Sequence, residues 1–142
     1  MTATKKPAAG LYTTLLSAAL AIVGLIIYVV NCNTNYFRST GTNLLVIGCL
    51  AAGIVLAVTL VLLAPRGITI PADLCQVAVP VLLIIGLIQF VALRVNAIAA
   101  IMTFTNNAQN MSDLSSALLS MGILLAAFIV AVIAAFLPTV SK

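Results

Sequence analysis

Four long apolar segments follow one another along the chain, separated by short polar segments. They cover residues 11–30, 44–64, 74–102 and 116–138, and only the third contains a charged residue. A helix needs about 20 apolar residues to cross a bilayer, whereas a membrane β-strand is about half as long and alternates in polarity. The pattern therefore predicts an all-α membrane protein, a bundle of four transmembrane helices in a single domain of residues 1–142.

The composition supports a bilayer as the environment of this chain. Of its 142 residues, 64% are hydrophobic and 6% are charged, whereas soluble domains carry about 25% charged residues. A surface so poor in charge would not stay in solution, and a disordered chain would hold fewer apolar residues. We expect a multi-pass membrane protein, with the lipid bilayer as its partner.

The basic residues predict the orientation of the bundle. Lys5 and Lys6 precede the first segment, Arg66 follows the second and Lys142 follows the fourth, so that four spans place all of them on one side. Arg38, in the first loop, lies on the other side. Because basic residues accumulate on the cytoplasmic side of a membrane, we expect both termini in the cytoplasm and residues 31–43 and 103–116 in outward-facing loops.

Small residues recur at intervals of four in two of the segments, which places them on one face of a helix. Such faces allow helix backbones to approach closely, and in lipid this packing replaces the hydrophobic drive. We expect the bundle to use one of these faces internally and to leave another as a subunit interface. The positions are Ala127, Ala131 and Ala135 in the fourth segment, with Gly48, Ala52, Gly53 and Ala57 in the second.

Two residues of the third segment predict local features of its helix. Pro80 has no N–H to donate to the carbonyl of Gln76, so we expect a kink there. Asp73 follows Pro71, where a carboxylate would cap the first turn of a helix that begins near residue 74.

Arg94 lies inside the third apolar segment, about 30 Å along a helix that begins at residue 74. A charged side chain at this depth extends to water, pairs with another group or serves a function. Asp113, the acidic residue on the outer side, is the candidate for pairing. Gln89 and Asn96 lie seven residues apart on one helix face, where they would bond to a neighbouring helix or line a polar pore.

The two predicted outer loops share a bias toward amide side chains. Asn favours turn conformations, and aromatic residues suit the membrane–water interface. The alternative to loop chemistry is a polar face that contacts a partner protein, a glycan or another subunit. The candidate contact residues are Asn33, Asn35, Tyr36, Arg38, Asn106 and Asn107.

Side chains for catalysis or metal binding are scarce in this sequence. It contains no histidine and two acidic residues, with no catalytic Ser/His/Asp set, no metal-ligand cluster, no phosphate-binding loop and no basic stripe. Cys75 is predicted at a different depth from Cys32 and Cys49, too far away to form a disulfide with either. We therefore expect no enzymatic activity, no cofactor, no metal and no nucleic-acid partner.

A resemblance to known proteins rests on three parts of the sequence. They are the run from Arg94 to Ala99, the Asn-rich segment after it and the final apolar span, which ends in Ala134, Ala135 and Phe136. With them the chain resembles small uncharacterised four-span membrane proteins of bacteria. The resemblance covers the whole chain in its general plan and implies an inner-membrane location, but it implies no activity.

Three functions fit a four-helix bundle of this kind. The first is a structural or accessory subunit that self-associates as a homo-oligomer or supports a larger membrane complex. The second is a channel or transporter subunit for a small solute, with a pore that forms on oligomerisation. The third is a membrane-embedded binder of a lipid or ligand that uses the kinked third helix. We favour the first. A monomeric transporter is disfavoured, because four short helices fill their own centre and no pair of broken helices is present.

Overall fold

The computed structural model of the protein describes residues 6–141, apart from the side chain of Thr69, so Lys5 and Lys142 lie outside the described residues. The described chain forms four α-helices, α1 (Ala9–Cys32), α2 (Leu44–Leu63), α3 (Thr69–Thr103) and α4 (Ala108–Phe136). Single turns of 3-10 helix lie at Phe37–Ser39 and Ala64–Arg66. Each of the four α-helical segments is long and apolar enough to cross a membrane. The prediction of an all-α bundle of four spans is confirmed.

The helices form a closed up-and-down bundle. Each packs against two neighbours, in the order α1, α2, α3, α4 and back to α1. The two ends of the chain meet, because Pro7 and Val140 form an antiparallel β-bridge and the Ala8 N–H donates to the Thr139 carbonyl at 3.1 Å. We call this end of the bundle, which also carries the connection 64–68, the proximal end. The opposite end, with residues 33–43 and 104–107, is the distal end.

The α1–α4 interface is built from small residues and from hydrogen bonds that run in both directions. The Ser17 hydroxyl of α1 donates to the Ala127 carbonyl of α4 at 2.8 Å, and the Ser120 hydroxyl of α4 donates to the Gly24 carbonyl of α1 at 2.8 Å. A Cβ at Gly24 would lie 2.6 Å from Cδ2 of Leu124, closer than real Cβ contacts. Glycine at this position therefore leaves room for the Leu124 side chain between the two helices.

Two helices extend further than the apolar pattern predicts. Asn107 caps α4, since its side-chain oxygen accepts the Asn110 N–H at 2.8 Å, so residues 108–116, which we expected in an outer loop, are helical. The helix α3 begins at Thr69 rather than near residue 74. Asp73 is therefore an exposed residue in the second turn of α3 and does not form the cap that we expected.

The helix α3 passes through Pro80 without interruption. Its 35 residues correspond to about 52 Å at 1.5 Å per residue, whereas the hydrocarbon core of a bilayer is about 30 Å thick. At the proximal end the Gln76 amide donates to the carbonyl of Ala134 at 2.6 Å, which ties α3 to the last turn of α4. The excess length of α3 is divided between the two ends, since residues 69–75 precede Gln76 and residues 95–103 follow Arg94, which contacts the last residue of α1.

Candidate functional site at the distal end

Arg94 is a fully buried residue of α3 in contact with the end of α1 and with the distal loop 33–43. Its side chain is 1% exposed, so it does not extend to water. Its Nη2 donates to the Cys32 sulfur at 3.2 Å, and its guanidinium carbon lies 4.4 Å from the centre of the Phe37 ring. Within residues 6–141 its Nε and Nη1 have no hydrogen-bond partner.

These contacts compensate the Arg94 charge only in part. A cation over an aromatic face gains about 2 kcal/mol when it is desolvated, and a thiol sulfur is a weak acceptor. The position of Arg94 beside Cys32, the last residue of α1, adds attraction from the negative end of the helix dipole. Against this, each unsatisfied buried donor costs about 1–3 kcal/mol, and more when it is charged.

Asp113 of α4 is also buried, at 3% exposure, but it does not bond to Arg94. One carboxylate oxygen accepts the backbone N–H of Tyr36 at 2.9 Å, and the other accepts the Gln109 amide at 2.9 Å. The acidic residue that the sequence offered as a partner for Arg94 is therefore directed at the distal loop and at its own helix.

Adjacent residues of the distal loop are thus held by ionisable side chains from two different helices. Tyr36 is held through its N–H by Asp113 of α4, and Phe37 packs with its ring against Arg94 of α3. Phe37 itself is fully buried. The loop is therefore folded inward over the end of the bundle, which contrasts with the exposed polar loop that the sequence indicates.

Two further residues of α1 anchor this end of the bundle. The Asn31 amide donates to the Asp113 backbone carbonyl at 3.0 Å and to the Ser116 hydroxyl at 2.8 Å. The Tyr28 hydroxyl accepts the Asn43 N–H at 3.0 Å, and its ring meets that of Phe90 edge to face at 4.7 Å. Sequence reasoning missed Tyr28, Asn31 and Cys32 as members of the site, although their spacing places them on the inner face of α1.

The other polar candidates of α3 lie apart from this cluster. Gln89 is half-buried and Asn96 is exposed, and neither amide bonds to a neighbouring helix within the described part of the chain. The two side chains therefore do not converge with Arg94 on a common polar cavity.

Some candidate residues of the outer loops form hydrogen bonds within the fold, whereas others have exposed side chains. Asn107 is the cap of α4, and Asn33 donates to the Val29 carbonyl of its own helix at 2.8 Å. Tyr36 is half-buried and joins the distal loop to Asp113. The side chains of Asn35, Arg38 and Asn106 are exposed.

The small-residue faces separate clearly into internal and external ones. Ala127 and Ala131 are buried, and Ala127 receives the hydrogen bond of Ser17 from α1. Ala135, one turn further along the same helix, is half-buried and lines a groove between α3 and α4. The fourth-helix face is therefore used largely within the bundle.

The second helix carries one internal and one external face. Gly53 and Ala57 are buried, and a Cβ at Gly53 would meet Cδ2 of Leu83 on α3 at 3.2 Å. Gly48 and Ala52 are exposed. A Cβ at Gly48 would meet nothing within 4 Å. These two residues line a shallow apolar groove of about 320 Å³ on the outside of the bundle, together with Leu44, Leu45, Cys49 and Leu82.

A larger apolar groove runs between α3 and α4. Its distal part has a volume of about 570 Å³ and its proximal part about 370 Å³, and both parts are lined by Ile84. Gly122 of α4 forms part of the distal wall. The groove is lined almost entirely by aliphatic and aromatic side chains, so it is suited to an acyl chain or an apolar helix rather than to a polar solute.

The three cysteines are free. Cys32 and Cys75 are buried, whereas Cys49 is partly exposed in the groove beside Gly48 and Ala52. Within residues 6–141 no three His, Cys, Asp or Glu side chains lie close enough together to hold a metal ion.

Comparisons with protein-family models, with curated proteins and with solved structures find no match for this chain.

Proposed function

We propose that the protein is a non-enzymatic structural or accessory subunit of a membrane assembly and that it self-associates through α2. The observation that carries this proposal is the exposed face formed by Gly48 and Ala52, with Cys49 beside them. Small residues on a lipid-facing surface allow a second helix to approach closely, and that approach is what drives helix association in lipid. The scarcity of acidic and histidine side chains supports a role without catalysis.

The face suits a second copy of the same chain related by a two-fold axis. In such an arrangement the same patch is used by both partners. Gly48 of each copy would leave room for a side chain of the other, because its own backbone has open space in front of it. Two Cys49 residues would then lie near each other across the axis, which makes the proposal open to a direct test.

Oxidative crosslinking in the membrane tests the contact, because Cys49 is native to the chain. We expect a disulfide-linked dimer of the unmodified protein, since a two-fold contact at this face brings the two Cα atoms to within about 7 Å. The dimer should vanish in Cys49→Ser and persist in Cys75→Ser, whose side chain is buried in the bundle. Absence of the dimer in all three proteins would contradict the arrangement.

The mass of the protein particle in a mild detergent gives a second measure of self-association. Ala52→Leu should shift the particle toward the monomer, because the larger side chain separates the backbones. Ala19→Leu is the matched control, since Ala19 is exposed on α1 away from this face. If the unmodified protein is monomeric at every ratio of detergent to protein, the self-association is wrong and the accessory role alone remains.

The groove between α3 and α4 favours a second candidate function, the binding of a lipid. Its distal part, at about 570 Å³, falls within the range of about 300–1,000 Å³ that is typical of small-molecule sites. Mass spectrometry of the protein released from detergent would detect a retained lipid. Gly122→Leu should remove that lipid by filling the distal wall, whereas Ala19→Leu should leave it in place.

A further inference from the structure

The Arg94 guanidinium is a buried charge with donors that the described chain does not satisfy. Cys32 accepts from Nη2 alone, and Nε and Nη1 have no acceptor within residues 6–141. The guanidinium group of arginine carries a positive charge that is delocalised over three nitrogen atoms. A charge held away from water is stable only when another charge or a set of hydrogen bonds compensates it.

The neighbouring groups do not supply a full negative charge to these two donors. Phe37 offers only the face of its ring, and Cys32 offers a sulfur atom to a different nitrogen. Asp113 belongs to the same end of the bundle, but both of its carboxylate oxygens accept hydrogen bonds from Tyr36 and Gln109. Those two bonds direct the carboxylate toward the loop and toward α4.

We propose that Arg94 is the centre of a binding site for a small inorganic anion of the halide type. Such an ion accepts hydrogen bonds from several directions and adds the missing negative charge, and it needs no donor of its own. This site is distinct from the α2 face on which the proposed function rests.

The enclosure of the site favours a small ion over a lipid phosphate. Arg94 is 1% exposed, Cys32 is 3% exposed and Phe37 is fully buried. A lipid phosphate carries a glycerol group and acyl chains and is too bulky for a site enclosed to this degree, whereas a halide is a single atom.

The first test is the melting temperature of the purified protein in an uncharged detergent at constant ionic strength. Replacing sodium gluconate by sodium chloride or bromide should raise the melting temperature by about 5 °C in a saturable manner, because the ion binds the folded state. Arg38→Gln should keep this rise, since Arg38 is an exposed arginine of the same loop. Arg94→Gln should lose it.

Three outcomes of this test would overturn the proposal. An equal effect of gluconate and chloride would show that no halide binds. A chloride effect that survives in Arg94→Gln would place the ion elsewhere. Stabilisation by vesicles of phosphatidylglycerol in gluconate, with no effect of halide, would assign Arg94 to a lipid phosphate.

A second measurement keeps the proposal testable if Arg94→Gln does not fold. The chlorine-35 NMR line of a sodium chloride solution should broaden on addition of the unmodified protein and narrow again when bromide competes for the site. Arg38→Gln should broaden the resonance to the same extent. No broadening by the unmodified protein would contradict the site.

Discussion

The guanidinium of Arg94 lies 4.4 Å from the centre of the Phe37 ring, and both side chains are buried. One of them comes from the distal part of a predicted transmembrane segment and the other from a polar loop. Their contact fixes the distal loop to α3 at a point where the chain would otherwise have only solvated turns. The stability of this end of the bundle therefore depends on an interaction between a helix and a loop.

The first prediction concerns the coupling between these two residues. Phe37→Leu keeps an apolar side chain but removes the aromatic face, and Arg94→Met removes the charge. A double-mutant cycle should give a coupling of about 1–2 kcal/mol, because the pair is desolvated. The measurement is equilibrium unfolding in mixed micelles. The same cycle with Arg38→Met, at an exposed neighbour, should give a coupling near zero, and equal couplings in the two cycles would contradict the contact.

The second prediction concerns the hydrogen bonds between α1 and α4. Ser17→Ala and Ser120→Ala should each lower the free energy of unfolding by about 1 kcal/mol, which is typical of hydrogen bonds between membrane helices. Ser115→Ala is the matched control on α4, because its hydroxyl is exposed and bonds to its own helix at the Ser112 carbonyl. If Ser115→Ala lowers the free energy of unfolding as much as Ser17→Ala does, the hydrogen bonds between the helices do not account for the loss of stability.

The third prediction concerns the close approach at Gly24. Gly24→Ala should destabilise the protein by about 1–3 kcal/mol, because its new Cβ would lie 2.6 Å from the end of Leu124 and overpacking has costs of this size. Adding Leu124→Val, which shortens the opposing side chain, should recover part of this loss. Gly122→Ala, where a Cβ meets nothing within 4 Å, should be neutral or stabilising because alanine favours the helix. Melting curves of the four proteins decide the matter.

Much of the fold is predictable from the sequence, because the bilayer imposes a length and a polarity on each span. The four apolar segments correspond to α1 to α4. An even number of spans places both termini on one side of the membrane, which agrees with the bridge between Pro7 and Val140. The distal end of α4 was not predictable by the same rule. The polarity of residues 108–116 predicts a loop, yet these residues are helical and Asn107 caps the helix that they begin.

The distal site was only half predictable, for a related reason. Hydropathy marks Arg94 and Asp113 as unusual, and their opposite charges favour a direct pair. Which loop atoms fold inward depends on the three-dimensional path of residues 33–43, and hydropathy contains no information on that path. The Tyr36 N–H contacts Asp113 and the Phe37 ring contacts Arg94, where an ion pair was one of the alternatives that the sequence left open.

The fourth prediction concerns the carboxylate that holds the distal loop. Asp113→Ala should increase the rate of hydrogen exchange at the Tyr36 amide by at least about tenfold, because that N–H loses its charged acceptor and a bond of this kind contributes about 1.5–3 kcal/mol. The measurement is hydrogen–deuterium exchange resolved to residues 33–43. Asp73→Ala removes the same group from an exposed position at the proximal end and should leave this exchange unchanged. Unchanged exchange in Asp113→Ala would show that the loop is held by Phe37 alone.

The fifth prediction concerns the orientation of the bundle in its membrane. The bridge between the termini fixes them at the same end as the connection 64–68, so one accessible cysteine at each end reports the whole topology. An impermeant maleimide added outside should label Asn106→Cys and should label Ile68→Cys only after the membrane is opened, because basic residues favour the cytoplasmic side. Ile68 is exposed and is preferable to Gly67, which has a φ of 75° that favours glycine. Both variants are made in a Cys49→Ser background, and Cys49→Ser alone is the control, because Cys49 is partly exposed whereas Cys32 and Cys75 are buried. Reversed labelling would contradict the charge argument, whereas labelling of both variants from outside would contradict the up-and-down bundle itself.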